Sequence, residues 1–218
     1  EELVEIKKGD KESEFNATKK LFGIIDKLTP DVIIGYNSEN FDFNFLVVRA
    51  EKCGYDINQV VKTLSLDDKL IRRNNANLKI GGKSEKYTQT LMFGYNIIDT
   101  QHAVRRAKAI NSEIEKTNLK YISKFCDVAP QNRVYIKGDN ISKTYESVDK
   151  YSFNEINGKY HKITPTNPLK EGDIEVDGKF IVFKYLMDDL YETNLIDDQF
   201  NQANFLINKI LPTTFSKV

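Results

Sequence analysis

The sequence contains few cysteines, no excess charge of either sign and no long apolar run. Its two cysteines, Cys53 and Cys126, have no paired spacing, so neither a disulfide framework nor a zinc site is indicated. Lys plus Arg and Asp plus Glu both number 32, so any attraction to phosphate must come from local patches. No apolar run approaches the roughly 20 residues of a membrane span, and no signal-peptide pattern opens the chain. We therefore expect a protein of a reducing cytoplasm, with no membrane partner.

The remaining composition is that of an ordinary globular protein. Hydrophobic residues make up 40% and charged residues 29% of the 218 positions, which is enough to bury a substantial core. The sequence has no initiator methionine and stops without a polar tail, so we expect a segment of a longer protein. The alternation of helical and strand patterns predicts an α/β fold in a single domain.

The first third of the chain predicts a helix, a strand and a second helix. Residues 12–28 place apolar side chains at three- and four-residue spacing before a proline, which is typical of an amphipathic helix. Residues 31–36, DVIIGY, form a β-branched apolar run that predicts a buried strand. Helical spacing resumes at Asp42 and continues to Gly54. This pattern places Asp42 at a corner between a strand and a helix.

A β-hairpin and a following strand are predicted over residues 78–98, with Gly81 and Gly82 near the start and the strand ending at Asp99. Two helices are expected after it, at about 101–110 and 118–126.

The segment 127–179 is polar and rich in Asn, Gly and Lys, and we interpret it as an insertion within the domain. It holds two hairpin signals, Asn157-Gly158 and Asp177-Gly178. Residues 180–210 then predict one long helix or two in tandem. His102 and His161 have no ligand-like spacing, so we expect them to be surface or satisfied polar residues.

The most informative string is PDVIIGYNSENFDFNFLVVR, in which a predicted strand delivers Asn37 and Phe41 immediately before Asp42. A carboxylate at such a corner projects from the sheet edge and suits an oxygen-seeking cation such as Mg²⁺. The alternative is that Asp42 is only the N-cap of its helix. The string resembles the second exonuclease motif of family B DNA polymerases, which is Asn, two or three residues, Phe or Tyr, and Asp.

That resemblance implies a third motif, Tyr followed by three residues and Asp. Only the pair Tyr185 and Asp189 lies in a predicted long helix, where a spacing of four puts phenol and carboxylate on one face. We expect Val182, Leu186 and Leu190 to mark the buried stripe beside them. The other matches lie on a strand, across a glycine or in the polar insertion: Tyr95 with Asp99, Tyr135 with Asp139, and Tyr145 with Asp149.

The family resemblance also implies a mechanism. Its members have four carboxylates that hold two divalent metals, Mg²⁺ or Mn²⁺, and hydrolyse the 3′-terminal phosphodiester of DNA during proofreading. Carried over by position, Asp42 and Asp189 are metal ligands and Tyr185 orients the attacking water. Asn37 and Phe41 hold the single-stranded 3′ end of the primer, the latter by stacking on a base.

The same resemblance implies an RNase H-like (DnaQ-like) fold, a mixed sheet flanked by helices. Residues 1–218 would be a partial 3′→5′ exonuclease domain, incomplete in this chain, that contains the hairpin and strand at 78–98 and the insertion at 127–179. The hairpin is similar to one in phage polymerases that helps to part primer from template. Its basic residues are then phosphate contacts, or alternatively a solvated edge: Arg72, Arg73, Lys79, Lys83 and Lys86.

The first motif of the family, Asp, one residue and Glu on a buried strand, is not found. The string Asp10-Lys11-Glu12 matches this residue pattern, but it lies in a charged run just before a helix, so we reject it as the first motif. Residues 3–7, LVEIK, are interpreted as the last strand that follows the true motif. Because half of the metal ligands are missing, we expect these residues alone to be inactive or nearly so, with a hydrolysis rate lowered ~10³-fold or more.

Two other functions remain open. One is a standalone RNase H-like nuclease, and the other is a catalytically dead exonuclease-like scaffold or DNA-binding module of a polymerase. The expected partners are single-stranded DNA and the polymerase domain of the same parent chain. The phage-like hairpin implies a bacterial or phage-infected host cytoplasm.

Overall fold

The computed structural model describes residues 6, 9–61, 70–92 and 94–210. The chain divides into two compact units. The first comprises the described residues up to Asn118 together with those from Asp197 onward, and the second is Leu119–Ile196. Apart from Ile6, the strand expected at residues 3–7 lies outside the described residues, as does the end of the chain after Ile210.

The helix, strand and helix predicted at the start of the first unit are confirmed. Helix α1 is Lys11–Leu28, and its N-cap Asp10 accepts hydrogen bonds from the backbone amides of Glu12 and Ser13. Strand β1 is Val32–Gly35, helix α2 is Asp42–Cys53, and the short helix α3 is Ile57–Val61. Apolar faces of these helices form the core of the unit around Phe22, Ala50, Val60 and Val61.

The hairpin is longer than its sequence signal. Strand β2 is Leu70–Ile80 and strand β3 is Lys83–Met92, antiparallel around Gly81 and Gly82. Both glycines have positive φ, 52° and 78°, as a two-residue hairpin turn requires. The first strand thus begins eight residues before the predicted boundary at 78, because its polar, alternating residues carry little strand signal.

A parallel pair of strands brings distant parts of the sequence together. Strand β4 is Asn96–Asp99, and it pairs in parallel with β1 so that Gly35 lies opposite Asp99. Helix α4, Thr100–Ile110, follows directly, close to the predicted 101–110. Since parallel strands end at the same sheet edge, the residues after Gly35 and after Asp99 become neighbours.

The second unit contains a small antiparallel sheet and its helices. The remaining elements of the chain are α5 Leu119–Phe125, α6 Gly138–Glu146, β5 Lys150–Phe153, β6 Tyr160–Lys162, β7 Ile174–Asp177, α7 Gly178–Phe200 and α8 Gln202–Ile210. Strand β5 lies between β6 and β7, and the segment interpreted as an insertion has a core of its own. Helix α5, near the predicted 118–126, opens the unit. The tandem helices expected at 180–210 are α7 and α8, of which α7 begins in this unit.

One hairpin signal in this segment is confirmed and the other is wrong. Asn157 and Gly158 lie in the loop that joins the antiparallel strands β5 and β6. Asp177 and Gly178, by contrast, join β7 to α7. Asp177 is the N-cap of α7, because its Oδ1 accepts a 2.8 Å hydrogen bond from the amide of Phe180. Glycine is required here because a Cβ at Gly178 would lie 1.8 Å from the carbonyl oxygen of Thr144.

The buried stripe predicted on α7 is also wrong in part. Val182 is buried, but Leu186 is 46% and Leu190 63% exposed. The buried face carries Ile181, Asp188, Glu192 and Ile196 instead. Apolar spacing predicted the wrong face because the charged side chains on the buried face pair with an arginine from outside the helix.

None of the helices in the described part of the chain is long and apolar enough to span a membrane.

Candidate functional site

The predicted second motif forms a tight loop between β1 and α2. Asn37 adopts the left-handed conformation, with φ of 60°, which asparagine tolerates better than most residues. The loop closes on itself, since the amide of Phe41 donates to the Asn37 carbonyl at 3.0 Å. Gly35 allows the turn, because a Cβ there would lie 2.4 Å from Ser38 Cβ. Asp42 then opens the helix.

Asp99 fixes this loop from the neighbouring strand. Its Oδ1 accepts from the amide of Asn37 at 2.7 Å and from that of Gln101 at 3.1 Å, the latter as N-cap of α4. Its Oδ2 accepts from the amide of Glu39 at 3.2 Å. The residue expected from sequence to end a strand therefore also positions the motif. The sequence predicted the end of the strand, but the contact with the loop depends on the parallel pairing of β1 with β4.

Asp42 is exposed at the start of α2 and does not cap it, because the N-cap is Phe41 and no side-chain hydrogen bond caps the helix. The interpretation of Asp42 as only an N-cap is therefore wrong. Partial desolvation by the surrounding protein, and then the nearby negative charge of Asp99, raise the pKa of the Asp42 carboxyl. A carboxylate in such surroundings, with a second carboxylate nearby, also favours a bound cation.

Phe41 lies beside Asp42 with its ring largely in solvent, 65% exposed. It stacks on Phe45 of the next helical turn, with ring centroids 6.5 Å apart and planes 16° apart. A pair of exposed, near-parallel rings next to a carboxylate offers a flat apolar surface to a nucleobase. The Asn37 side chain accepts a 3.3 Å hydrogen bond from Asn40 in the same loop.

Glu39 connects the loop to the hairpin. Its Oε1 accepts from the amide of Thr90 at 2.9 Å, while Arg72 donates to the Glu39 carbonyl at 2.8 Å and to the Thr90 hydroxyl. Burial, and secondarily the charge of Asp99, raise the pKa of Glu39 to about 7. Arg72 is thus an anchor within the protein and not a free phosphate contact. The four other basic residues of the hairpin are exposed: Arg73, Lys79, Lys83 and Lys86.

His102 adds a further polar group beside this anchor. Its Nδ1 lies 3.7 Å from Glu39 Oε2, and its ring contacts Tyr87 edge to face at 4.7 Å. Burial lowers the pKa of His102. The expectation of a surface or satisfied histidine is wrong for His102, since its Nε2 is buried without a hydrogen-bond partner, whereas His161 meets the carbonyl of Pro168 at 3.1 Å.

The predicted third motif lies on α7 in the second unit. Tyr185 and Asp189 are one helical turn apart and hydrogen-bonded to each other. Burial raises the pKa of the Tyr185 phenol to about 12, and the charge of Asp189 adds to the effect. The side chain of Asp189 is 26% exposed, and burial raises its pKa against the opposing effect of Arg133.

Sequence reasoning missed Arg133, which organises this part of the site. Its guanidinium donates to Asp189, to Glu192 at 2.8 Å and to the Val134 carbonyl, and only 2% of its side chain is exposed. It also lies 5.1 Å from the centre of the Tyr185 ring. Nothing marks this arginine in the sequence, because it lies in the segment interpreted as an insertion.

The predicted site residues thus fall into two local groups. Asn37, Phe41 and Asp42 are brought together in the first unit, and Tyr185 and Asp189 in the second.

Comparison with known proteins adds independent evidence. Residues 10–122 match the family described as DNA polymerase family B, exonuclease domain. DNA polymerase from Pyrococcus horikoshii and DNA polymerase 1 from Pyrococcus abyssi are each 52% identical over 42 residues. That stretch is 19% of this chain and only 3% and 5% of the two relatives, respectively. No solved structure matches the chain.

The matched residues include the whole second motif and the Asp99 that holds it. They also cover the helix, strand and hairpin pattern of the first unit, in agreement with the α/β, RNase H-like exonuclease fold that the sequence predicted. This chain belongs to the exonuclease domain family of family B DNA polymerases.

Proposed function

We propose that the chain carries part of a 3′→5′ proofreading exonuclease site of a DNA-directed DNA polymerase. Asp42 and Asp189 are its metal ligands, Tyr185 orients the attacking water, and Asn37 and Phe41 hold the primer 3′ end. The main support is the loop pinned by Asp99, which presents an exposed aromatic ring and an exposed carboxylate side by side.

The carboxylates are chemically suited to Mg²⁺ or Mn²⁺, which prefer oxygen ligands. Partial desolvation, and then the charge of the Asp99 carboxylate, raise the pKa of the Asp42 carboxyl. The carboxylate of Asp189 forms an ion pair with the guanidinium of Arg133, so a positive charge is stable beside it. When bound, a metal pair supplies a water of lowered pKa and stabilises the leaving 3′ oxygen.

The residues of this chain contribute binding and orientation. The Phe41 ring stacks on a base of the frayed strand, and such stacking contributes about 1 to 3 kcal/mol per base. With a pKa of about 12, the Tyr185 phenol keeps its proton at neutral pH. It therefore orients water as a hydrogen-bonding group and does not act as a base.

Two of the family's four carboxylates are assigned within these 218 residues, so we propose that they have little exonuclease activity by themselves. The remaining ligands, and the polymerase domain as partner, would come from the same parent polypeptide in a bacterial or phage-infected cytoplasm. The hairpin of β2 and β3 and the strand β4 that follows it would help part the DNA strands, with 127–179 as an insertion in the same domain.

A second candidate is a DNA-holding module without catalysis. The observation that favours it is the contact between Asp189 and Arg133, because an arginine bonded to a ligand competes with a metal for that carboxylate.

The test uses the parent polymerase and a single-stranded DNA with a labelled 3′ end. We expect Mg²⁺-dependent release of the terminal nucleotide, lowered at least ~100-fold by Asp42→Ala or Asp189→Ala. Asp198→Ala provides a matched control, because Asp198 is an exposed carboxylate on α7 outside the proposed site. Full activity in both site variants would refute the ligand assignment, and an inactive parent polymerase would favour the DNA-holding module.

A further inference from the structure

We propose that a cleft in the second unit binds one nucleotide of single-stranded DNA. Its volume is about 390 Å³, and the residues that line it include Gln131, Arg133, Tyr135, Asn157, Lys159 and Tyr160. The inference deepens the proposed function and rests on it in one respect, namely that the bound strand is the primer end.

The cleft is formed by two loops that are held together closely. Asn132 Nδ2 donates to the Glu155 carbonyl at 3.2 Å, and the Tyr160 hydroxyl donates to the Tyr135 carbonyl at 3.4 Å. Gly158, with φ of 66°, allows the approach, since a Cβ there would lie 2.3 Å from the Asn132 carbonyl oxygen. The walls are therefore set by the fold of this unit, and the volume lies within the usual range for small-molecule sites.

The charge of the cleft favours an anion. Among the described residues that line it there is no Asp or Glu, and Lys159 is an exposed cation, while the charge of Arg133 is already balanced by Asp189 and Glu192. Exposed Lys124 is a second cation close to a lining residue, with its Nζ 4.9 Å from the centre of the Tyr135 ring. The whole chain carries balanced charge, so this local excess is a feature of the cleft and not of the composition.

The other lining groups suit a nucleobase and sugar. Tyr135, 42% exposed, and the partly buried Tyr160 supply aromatic surface. The side-chain amides of Gln131 and Asn157 can both donate and accept hydrogen bonds. Grooves that bind single-stranded nucleic acid usually combine aromatic side chains with basic ones, and they show little preference for one base over another.

The cleft is also continuous with the third motif through one residue. Arg133 is one of the residues that line the cleft, and its guanidinium bonds to Asp189. A nucleotide in the cleft would therefore lie next to the carboxylate that we propose as a metal ligand. This position suits the strand that leads to the scissile phosphate.

The test measures the binding of a fluorescein-labelled oligothymidylate to the full chain by anisotropy at several salt concentrations. Replacing Lys159 with glutamate should weaken binding at least ~3-fold and lower the slope of log affinity against log salt by about 0.7, the loss of one phosphate contact. Lys143→Glu is the matched control, because Lys143 is exposed on α6 of the same unit and does not line the cleft. Equal melting temperatures would establish that both variants fold.

A second readout places the ligand directly. On titration with thymidine 5′-monophosphate, the ring resonances of Tyr135 and Tyr160 should shift, and those of Tyr191, exposed on α7, should not. Wild-type affinity and salt slope in Lys159→Glu, or unshifted cleft tyrosines, would overturn the proposal, as would a chain that binds no oligonucleotide at all.

Phe41→Ala separates this inference from the proposed function. If Phe41→Ala weakens binding and Lys159→Glu does not, the cleft is wrong and the proposed DNA end site stands. The opposite pattern supports the cleft and counts against the role proposed for Phe41.

Discussion

The Asp99 carboxylate accepts a 2.7 Å hydrogen bond from the backbone amide of Asn37, 62 residues away in the sequence. Together with the bond from the Glu39 amide, this contact holds the loop whose exit carries Asp42. The position of a proposed metal ligand thus depends on an aspartate that we assign to no ligand role.

Replacing Asp99 with alanine should destabilise the first unit by about 2 to 4 kcal/mol. The change removes an N-cap and leaves one buried and one half-buried loop amide without their acceptor. Urea unfolding measures the loss. Asp56→Ala is a control, because Asp56 is exposed and accepts only a local bond from the amide of Asn58; an equal loss in both variants would contradict the role of Asp99.

Glu39 should make stability fall as pH rises. Its folded pKa of about 7 lies above the reference value of 4.5, so the folded state holds the proton more tightly than the unfolded chain. The contribution is complete below pH 4.5 and declines toward pH 7, by up to about 3 kcal/mol. Urea titrations at pH 5 and pH 7.5 should show this decline reduced in Glu39→Gln. The exposed Glu51→Gln should keep it, and a decline of the same size in Glu39→Gln would refute the assignment.

Arg133→Met should destabilise the second unit by about 3 to 5 kcal/mol, because fully buried Glu192 loses its charged partner. The double variant Arg133→Met, Glu192→Leu should recover much of that loss, since no unpaired charge then remains at Glu192. Thermal and urea unfolding of both variants measure the coupling. Simple additivity of the two single substitutions would show that the buried pair is not the source of the effect.

Gly178→Ala should destabilise the second unit by about 1 to 3 kcal/mol, because its Cβ would meet the Thr144 carbonyl oxygen at 1.8 Å and force the backbone apart. Gly138→Ala, at the start of α6, is the control. Its Cβ would meet no atom within 4 Å, and alanine favours the helix by up to about 1 kcal/mol. Opposite shifts in melting temperature are expected, and a neutral Gly178→Ala would contradict the close approach.

Tyr185→Phe in the parent polymerase should lower exonuclease turnover ~10-fold or more and leave the affinity for a single-stranded 3′ end nearly unchanged. The phenol is proposed to orient water and not to bind DNA. Because its pKa is about 12, no ionisation of Tyr185 should appear in the rate profile between pH 6 and pH 9. A rate that rises across that range in the wild type and is flat in Tyr185→Phe would assign the phenol a basic role instead.

The sequence by itself determined the features that depend on near neighbours in the chain. Helix α1, strand β1 and helix α2 follow from apolar spacing, and the Gly81-Gly82 turn follows from the need for positive φ. The family followed as well, because the string from Asn37 to Asp42 is contiguous and specific, and the family match bears it out.

Only the tertiary structure decided which distant groups support those residues. The Asp99 contact requires the parallel pairing of β1 with β4, and the Glu39 contact requires the folded hairpin. On α7 the charged face is buried because Arg133 pairs with it, whereas apolar spacing predicted that Leu186 and Leu190 would be inside. Periodicity reports the water affinity of single side chains, and it contains no information on a partner that neutralises a charge from elsewhere in the chain.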